Sequence, residues 1–335
     1  MSQDKSSAEL TLPLLEKEVK VSASQLANFS EQMQQLKKDN PKERQHLPEW
    51  FKVKLPIGKD LERYNKVKSL RHGLNLHTVC EEARCPNISE CWGRGTGTFM
   101  IMGDTCTRAC RYCDVKSGKP GTLDAEEPRH VAEAIKQLQL KYVVITSVTR
   151  DDLPDGGALH FAETVEWCRK LTPATKIELL IPDFWAKEDD LQTVINSKPY
   201  VIGHNIEAVE RIYPKIRPKP TYKIAVDVID KLKKLSVESN IPMLTKSALM
   251  VGHGEDAAEV VQTMRDLRTV DCDIFSIGQY LRPSNWHVPE QKFYTPQEFI
   301  SLREAGLKLG FKNCVAGPLV RSSYLAEQAV GLKIR

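Results

Sequence analysis

The chain has no apolar run approaching the roughly 20 residues that a membrane-spanning helix needs, which argues against a membrane protein. It has no low-complexity tract and no internal repeat beyond a strand–helix alternation. Charge of one sign is also lacking: 48 Lys and Arg against 44 Asp and Glu leave a net +4, too mild to indicate nucleic acid. The N-terminal Met1-Ser2-Gln3-Asp4-Lys5 lacks the apolar core of a secretion signal. Glu9, Glu16 and Glu18 are out of place in a transit peptide, which is poor in acids. The expected compartment is therefore a reducing cytoplasm. The 335 residues, 41% of them hydrophobic, suffice for one large α/β domain with extensions or for two smaller domains.

Cysteine is what the chain does have. Six of its nine cysteines fall in two trios: Cys80, Cys85 and Cys91 in a C-x4-C-x5-C spacing, then Cys106, Cys110 and Cys113 in a C-x3-C-x2-C spacing. In a reducing compartment such cysteines read as metal or redox ligands rather than disulfides. Each trio supplies three thiolates where an all-cysteine iron–sulfur cube uses four, and an open metal position can do chemistry. A structural zinc site is the alternative. It normally closes with a fourth nearby His or Cys, and Asp114 would complete it poorly. Cys168, Cys272 and Cys314 stand alone in apolar stretches and read as buried small hydrophobes.

Residues 1–46 are polar and read as a tail, with a possible helix near Ala23–Leu36; residues 47–95 read as an N-terminal extension carrying the first trio. From residue 96 to 316 short β-branched runs alternate with amphipathic segments. Strands are expected at Phe99–Met102, Tyr142–Ser147, Lys176–Ile181, Tyr200–Asn205, Met243–Met250 and Ile274–Ile277. Helices are expected at Pro128–Leu140, Ala158–Leu171, Glu188–Asn196, Tyr222–Ser239, Asp256–Arg268 and Pro296–Leu309. Six such alternations predict a parallel sheet with helices outside, curled by right-handed crossovers into a partial (β/α)6 TIM-like barrel. The chemistry of such a barrel sits at the carboxyl ends of its strands, and Cys106 lies just past the first one. Residues 317–335 form a C-terminal closing segment.

The loop Cys106-Thr-Arg-Ala-Cys110-Arg-Tyr112-Cys113, with an aromatic before its last cysteine, resembles the signature of radical S-adenosylmethionine enzymes. The resemblance implies that these cysteines hold a [4Fe–4S] cube whose fourth iron takes the amino and carboxylate groups of S-adenosylmethionine. Cube potentials reach about −700 mV, enough to present a strongly reducing electron. Cleavage of the sulfonium then gives methionine and a 5′-deoxyadenosyl radical that attacks an unactivated C–H bond.

The first trio narrows the resemblance. His77-Thr-Val-Cys80-Glu-Glu-Ala-Arg-Cys85-Pro-Asn-Ile-Ser-Glu-Cys91-Trp92 is similar to the auxiliary-cluster motif of the lipoyl synthase family, and Arg321-Ser322-Ser323-Tyr324 resembles that family's C-terminal signature. The likeness in motifs runs from about Pro48 to Tyr324, and it separates the chain from biotin synthases, which have neither the C-x4-C-x5-C trio nor the RSSY signature. It implies a sulfurtransferase that inserts two sulfur atoms, at C6 and C8, into an octanoyl chain on a carrier lysine. Two molecules of S-adenosylmethionine are used, and a second [4Fe–4S] cluster, held by Cys80, Cys85, Cys91 and Ser323, is consumed as the sulfur source. Implied partners are octanoylated lipoyl carrier domains (E2 subunits or glycine cleavage H protein), a ferredoxin or flavodoxin donor, and an iron–sulfur carrier that rebuilds the cluster. Neither nucleic acid nor a membrane is implied.

For the cofactor, the resemblance implies contacts from Tyr112, from the glycine pair Gly156 and Gly157, from Asn205 to the ribose, and from the Met250–Glu255 strand end, including Gly252, to adenine. Asp155-Gly156-Gly157 also reads as a plain turn before a helix, and Asn205 as an ordinary cap. Arg282-Pro-Ser-Asn-Trp286-His287 resembles the family's segment near the bound chain. Lys215-Ile-Arg217-Pro-Lys219 reads as a solvated basic loop, or as a patch that steers an acidic carrier. Gly203, His253, Asn285 and Trp286 depart from the family pattern and bear on pocket shape. A zinc-binding protein and a two-cluster electron carrier are the readings outside enzyme chemistry.

Overall fold

The structure, a computed structural model, describes residues 46–332 apart from 54, 95 and 218. The helix expected near Ala23–Leu36 and most of the 1–46 tail lie outside the described residues. The extension comprises helix α1 (Lys59–Gly73), the short strand β1 (His77–Thr78) and the short helices α2 (Val79–Glu82) and α3 (Ile88–Gly93). Strand β2 (Thr98–Ile101) opens the barrel, and the two-residue strands β3 (Thr105–Cys106) and β4 (Lys116–Ser117) close the loop between them. The alternation then runs α4 (Glu127–Leu138), β5 (Tyr142–Ser147), α5 (Ala158–Leu171), β6 (Lys176–Leu180), α6 (Glu188–Asn196) and β7 (Val201–Gly203). It continues through the single-turn α7 (Tyr213–Ile216), α8 (Tyr222–Glu238), β8 (Leu244–Val251), α9 (Ala257–Thr269), β9 (Ile274–Gln279), α10 (Pro296–Lys308), β10 (Asn313–Gly317) and α11 (Ala326–Ala329).

The main sheet has the order β1-β2-β5-β6-β7-β8-β9-β10. Strand β1 pairs antiparallel with β2, and every other neighbour is parallel. The sheet ends at β1 and β10 without closing, so the barrel is partial as expected. Strand parity sorts its two faces. Phe99, Ile101, Val143, Ile145, Ile177, Leu179, Phe275 and Ile277 are buried in the main hydrophobic core. The alternate positions Met100, Thr146, Leu180, Ala248, Met250 and Ser276 line an interior cavity. Deeper on the inward face, the Glu178 carboxylate accepts from Lys246 Nζ at 2.7 Å and from the Tyr142 hydroxyl at 2.5 Å. Tyr142 and Val144 pack on Ala326 of α11, which plugs this end.

Local signals set the helix starts. Asp256 with Glu259, and Thr295 with Glu298, form capping boxes on α9 and α10, and Thr221 caps α8. Several elements were not expected, α1 and β10 being the longest helix and strand among them. Helix α1 is polar nearly all round and buries Val67 alone, so it shows no apolar stripe. Strand β10 is five residues long, lies in the stretch joined to the closing segment, and extends the parallel sheet beyond the six expected strands.

Candidate active site at the open end of the barrel

Tight turns gather the first trio. Cys80 lies in α2, whose N-cap Thr78 accepts from Glu81 N. Cys85 N donates to Cys80 O at 3.0 Å, and Cys91 N donates to Asn87 O at 2.9 Å. The C-terminal segment holds this loop from outside. Asn87 Nδ2 donates to Leu319 O at 2.6 Å, the Tyr324 hydroxyl donates to Glu90 at 3.0 Å, and Arg94 pairs with Glu327 at 3.3 Å.

The second trio follows β2. Pairing of β3 with β4 pinches the base of its loop. Cys106 Sγ accepts from Arg108 N at 3.4 Å and from Thr149 N at 3.3 Å, fixing that cysteine to the carboxyl end of β5. On the far side His287 Nε2 donates to Cys113 O at 2.8 Å, which leaves Nδ1 to accept from Ser284 Oγ at 2.8 Å.

Both trios open on one cavity of about 500 Å3, lined by Cys80, Cys85, Cys106, Cys110, Cys113 and Ser323 among others. Its size falls in the range of small-molecule sites. A second void of about 40 Å3 is lined by Cys80, Cys85, Cys91 and Ser323. Among the described residues no three His, Cys, Asp or Glu side chains converge into a site for a single metal ion. The members of each trio are nonetheless close enough to couple electrostatically. Burial pushes Cys80 up to about 11, with Cys85 adding to it, and burial with Cys80 and Cys85 raises Cys91. Burial pushes Cys113 to about 12, with Cys110 and Cys106 adding, and also raises Cys110. A cation faces each trio: the half-buried Arg321 opposes the rise at Cys85, and the buried Arg217 opposes it at Cys110. Such thiols give up their protons to soft metal, so the donor sets fit two iron–sulfur groups.

The remaining wall is polar and underused. Ser147 Oγ, His204 Nε2 and Arg217 Nε are buried and have no hydrogen-bond partner among the described residues. His204 Nδ1 donates to Ile181 O at 3.0 Å, and burial with Arg217 nearby pulls the ring down to about 4, so Nε2 presents a lone pair at neutral pH. Asn205 and Tyr112 line the cavity, and both lie near enough to the Glu207 carboxyl to favour its ionised form. Burial raises that carboxyl, and Arg217 is the chief opposing influence. Glu207 holds a left-handed backbone with φ 64°, a strained conformation of the kind found at binding sites.

Three expected cofactor residues are not on this wall. Gly156, Gly157 and Gly252 all have positive φ, and each meets other protein groups. A Cβ on Gly157 would lie 2.2 Å from Met102 Sδ, one on Gly156 would lie 2.8 Å from the Phe184 ring, and one on Gly252 would lie 2.1 Å from Gln279 Nε2. Their need for glycine is thus accounted for by turn geometry and close packing. The strand end Thr146–Thr149 lines the cavity instead. Gly157→Ala is accordingly expected to cost roughly 1–3 kcal/mol of stability, read as a lower melting temperature. S-adenosylmethionine cleavage per folded molecule should be unchanged; a selective rise in its KM would return Gly157 to the cofactor.

Arg217 went unrecognised as a site residue because Lys215 and Lys219 on either side are exposed. The structure buries it to 6% exposure, with Nη2 on Asp183 at 3.1 Å and Nη1 on the Tyr213 hydroxyl at 3.1 Å. The i, i+4 spacing to Tyr213 was the available signal. Arg108 and Asp183, also unrecognised, join the same network. Cys168, Cys272 and Cys314 are fully buried in the core.

Comparison with known proteins agrees with this geometry. The radical SAM superfamily model matches residues 100–267, and that of the N-terminal domain of lipoyl synthase matches residues 2–85, so the likeness reaches further toward the N-terminus than the motifs showed. The chain is 50% identical over 288 residues to the lipoyl synthase of Caldanaerobacter subterraneus subsp. tengcongensis, covering 86% of this chain and 97% of that protein. It is 49% identical to the lipoyl synthase of Rubrobacter xylanophilus, covering 84% and 85%. Among solved structures, methylornithine synthase aligns with TM-score 0.50 at 14% identity, covering 76% of this chain and 77% of that one. A maturase of the [FeFe]-hydrogenase aligns with TM-score 0.51 at 14% identity, covering 87% and 62%. At that identity the two structures speak to the fold alone.

Proposed function

Because the chain belongs to the lipoyl synthase family of the radical S-adenosylmethionine superfamily, we propose that its two cysteine trios divide one reaction inside one cavity. The reaction is the family's: two sulfur atoms enter a protein-bound octanoyl group at C6 and C8, with S-adenosylmethionine and [4Fe–4S] clusters as cofactors. Cys106, Cys110 and Cys113 would hold the cluster that supplies the electron for radical formation; Cys80, Cys85, Cys91 and Ser323 would hold the one that supplies sulfide.

The chain's own residues prepare the site. The unpartnered Arg217, Ser147 and His204 atoms are placed to take the polar end of S-adenosylmethionine. Tyr112 and Asn205, steadied by Glu207, are placed for its nucleoside. Met100, Ala248 and Met250 give the cavity an apolar stretch suited to the octanoyl chain. Arg321 offsets thiolate charge at Cys85, and Ser323 lines both voids. A serine oxygen is a harder ligand than thiolate, which suits a cluster that must come apart.

The protein acts on lipoyl carrier proteins; within that class we assign E2 subunits or the glycine cleavage H protein as carriers, ferredoxin or flavodoxin as donor, and an iron–sulfur carrier for cluster repair. Among the described residues no helix is long and apolar enough to cross a membrane. Nine free cysteines favour a cytoplasmic setting, where thiols stay reduced.

The shared cavity is the observation that carries this reading. Anaerobic reconstitution should load about eight irons, as two cubes require. Incubation with an octanoylated carrier domain, S-adenosylmethionine and reductant should add two sulfur atoms to the carrier by mass spectrometry and release 5′-deoxyadenosine. Zinc in place of iron, or 5′-deoxyadenosine without sulfur transfer, would refute it.

A further inference from the structure

Arg84 and Asp114 each adjoin a cluster-trio cysteine, Cys85 and Cys113 respectively. Both line the shared cavity. Their side chains meet in a two-point ion pair, with Arg84 Nε on Asp114 Oδ2 and Nη2 on Oδ1 at 2.8 Å. The Asp114 side chain is 9% exposed and that of Arg84 is 69% exposed, so the pair runs from the cavity wall out to solvent. Arg84 has a left-handed backbone, φ 45°, with its N–H bonded to Glu81 O at 2.9 Å. A non-glycine residue stays in that conformation only where its surroundings determine it. The loop's ties to Leu319, Tyr324 and Glu327 all run to the C-terminal segment. The Arg84–Asp114 pair instead joins it directly to the other trio.

An ion pair this exposed adds little to folding stability. What a bidentate arginine–carboxylate pair fixes well is direction and separation. We propose that Arg84 and Asp114 form a positioning clasp that keeps the sulfur-donating loop in register with the radical-generating loop through both sulfur insertions. The inference rests on the division of labour assigned above. On that assignment iron joins Cys80, Cys85 and Cys91 only until the second cluster is spent, so the loop loses an internal cross-link during turnover. The clasp contains no iron and persists. It holds Cys85 near Cys113 while the two insertions are directed to C6 and C8, two bonds apart on the chain.

The test compares wild type with Arg84→Gln, Asp114→Asn and the charge-swapped pair Arg84→Asp/Asp114→Arg, each fully reconstituted. Iron content and 5′-deoxyadenosine formation should match wild type. Lipoyl product per 5′-deoxyadenosine should fall about five-fold in both single variants, the scale of one exposed ion pair. The shortfall should appear as a carrier bearing one sulfur. Amide exchange across residues 79–91 after turnover should be faster than in wild type, and the swapped pair should recover both coupling and protection. Unchanged coupling in the single variants overturns the clasp. So does a loss of iron that accounts for the defect, which would mean the pair merely supports folding, and so does failure of the swap to restore coupling. A wild-type protein that transfers no sulfur would instead refute the underlying functional reading.

Discussion

Cys106→Ala is expected to abolish 5′-deoxyadenosine formation, whereas Cys80→Ala keeps it and abolishes sulfur insertion. The two thiols line the same cavity but belong to different electrostatic groups. Cys80 is influenced by Cys85, and Cys91 by both; Cys113 is influenced by Cys110 and Cys106. Cys106 is also a structural pivot, since its Sγ receives the amides of Arg108 and Thr149 and ties the loop to β5. Its replacement removes both a ligand and that tie. The loss should exceed the roughly 10–100-fold typical when only a ligand's hydrogen-bonding partner is removed. Cys80 sits in α2, whose cap and turn bonds use backbone and Thr78 rather than the thiol, so its removal should leave the second loop in place. Cys168→Ala is the control: that thiol is fully buried away from both trios, and neither product should change. Chromatography of 5′-deoxyadenosine beside mass spectrometry of the carrier reads both arms. Equal loss of cleavage in Cys106→Ala and Cys80→Ala would contradict the assignment.

The contrast between the two trios also shows what a linear reading could reach. Parallel strands buried on both faces read as near-continuous β-branched runs, and Tyr142–Ser147 is a strand over the range expected. Helices α5 and α6 likewise keep their expected bounds because an apolar face repeats at helical spacing. Each trio is legible because its members are joined by short turns. Their meeting at one cavity is not, since it depends on residues 319–327 folding back over 87–94. The glycine pair is ambiguous in sequence for a related reason. A positive φ serves a turn and a ligand equally well in sequence, and only the packing of Met102 and Phe184 separates them. Arg217 was obscured by exposed lysines, because a charge on a short loop carries no mark of which way it turns.

Asp183→Ala should lower the melting temperature by about 10 °C, the scale of breaking a buried ion pair at roughly 3–5 kcal/mol. Asp183 is fully buried beneath the cavity wall. Its carboxylate accepts from Arg108 Nη2 at 3.0 Å, Arg217 Nη2 at 3.1 Å and Trp185 N at 3.0 Å, and Arg108 has a second partner in Asp151 at 2.7 Å. Burial alone would raise this carboxyl. The Arg108 hydrogen bonds, with His204 and Arg217 adding to them, win and hold it at about 2. A folded value below the unfolded one means that the ionised group stabilises the fold fully above about pH 4 and loses that contribution as pH falls through 2. At neutral pH the substitution therefore removes a full negative charge from between two arginines. Arg108 keeps Asp151, but Arg217 loses its ion-paired carboxylate and keeps the Tyr213 hydroxyl and Asn205 O as hydrogen-bond partners, with the Glu207 carboxyl nearby. The same arginine faces the cavity, so the KM for S-adenosylmethionine should rise along with the loss of stability. Glu126→Gln, which removes one exposed partner of Arg129 on the surface of α4, should leave the melting temperature unchanged. If the two substitutions prove equally mild, the buried network is not what holds Arg217 against the cavity.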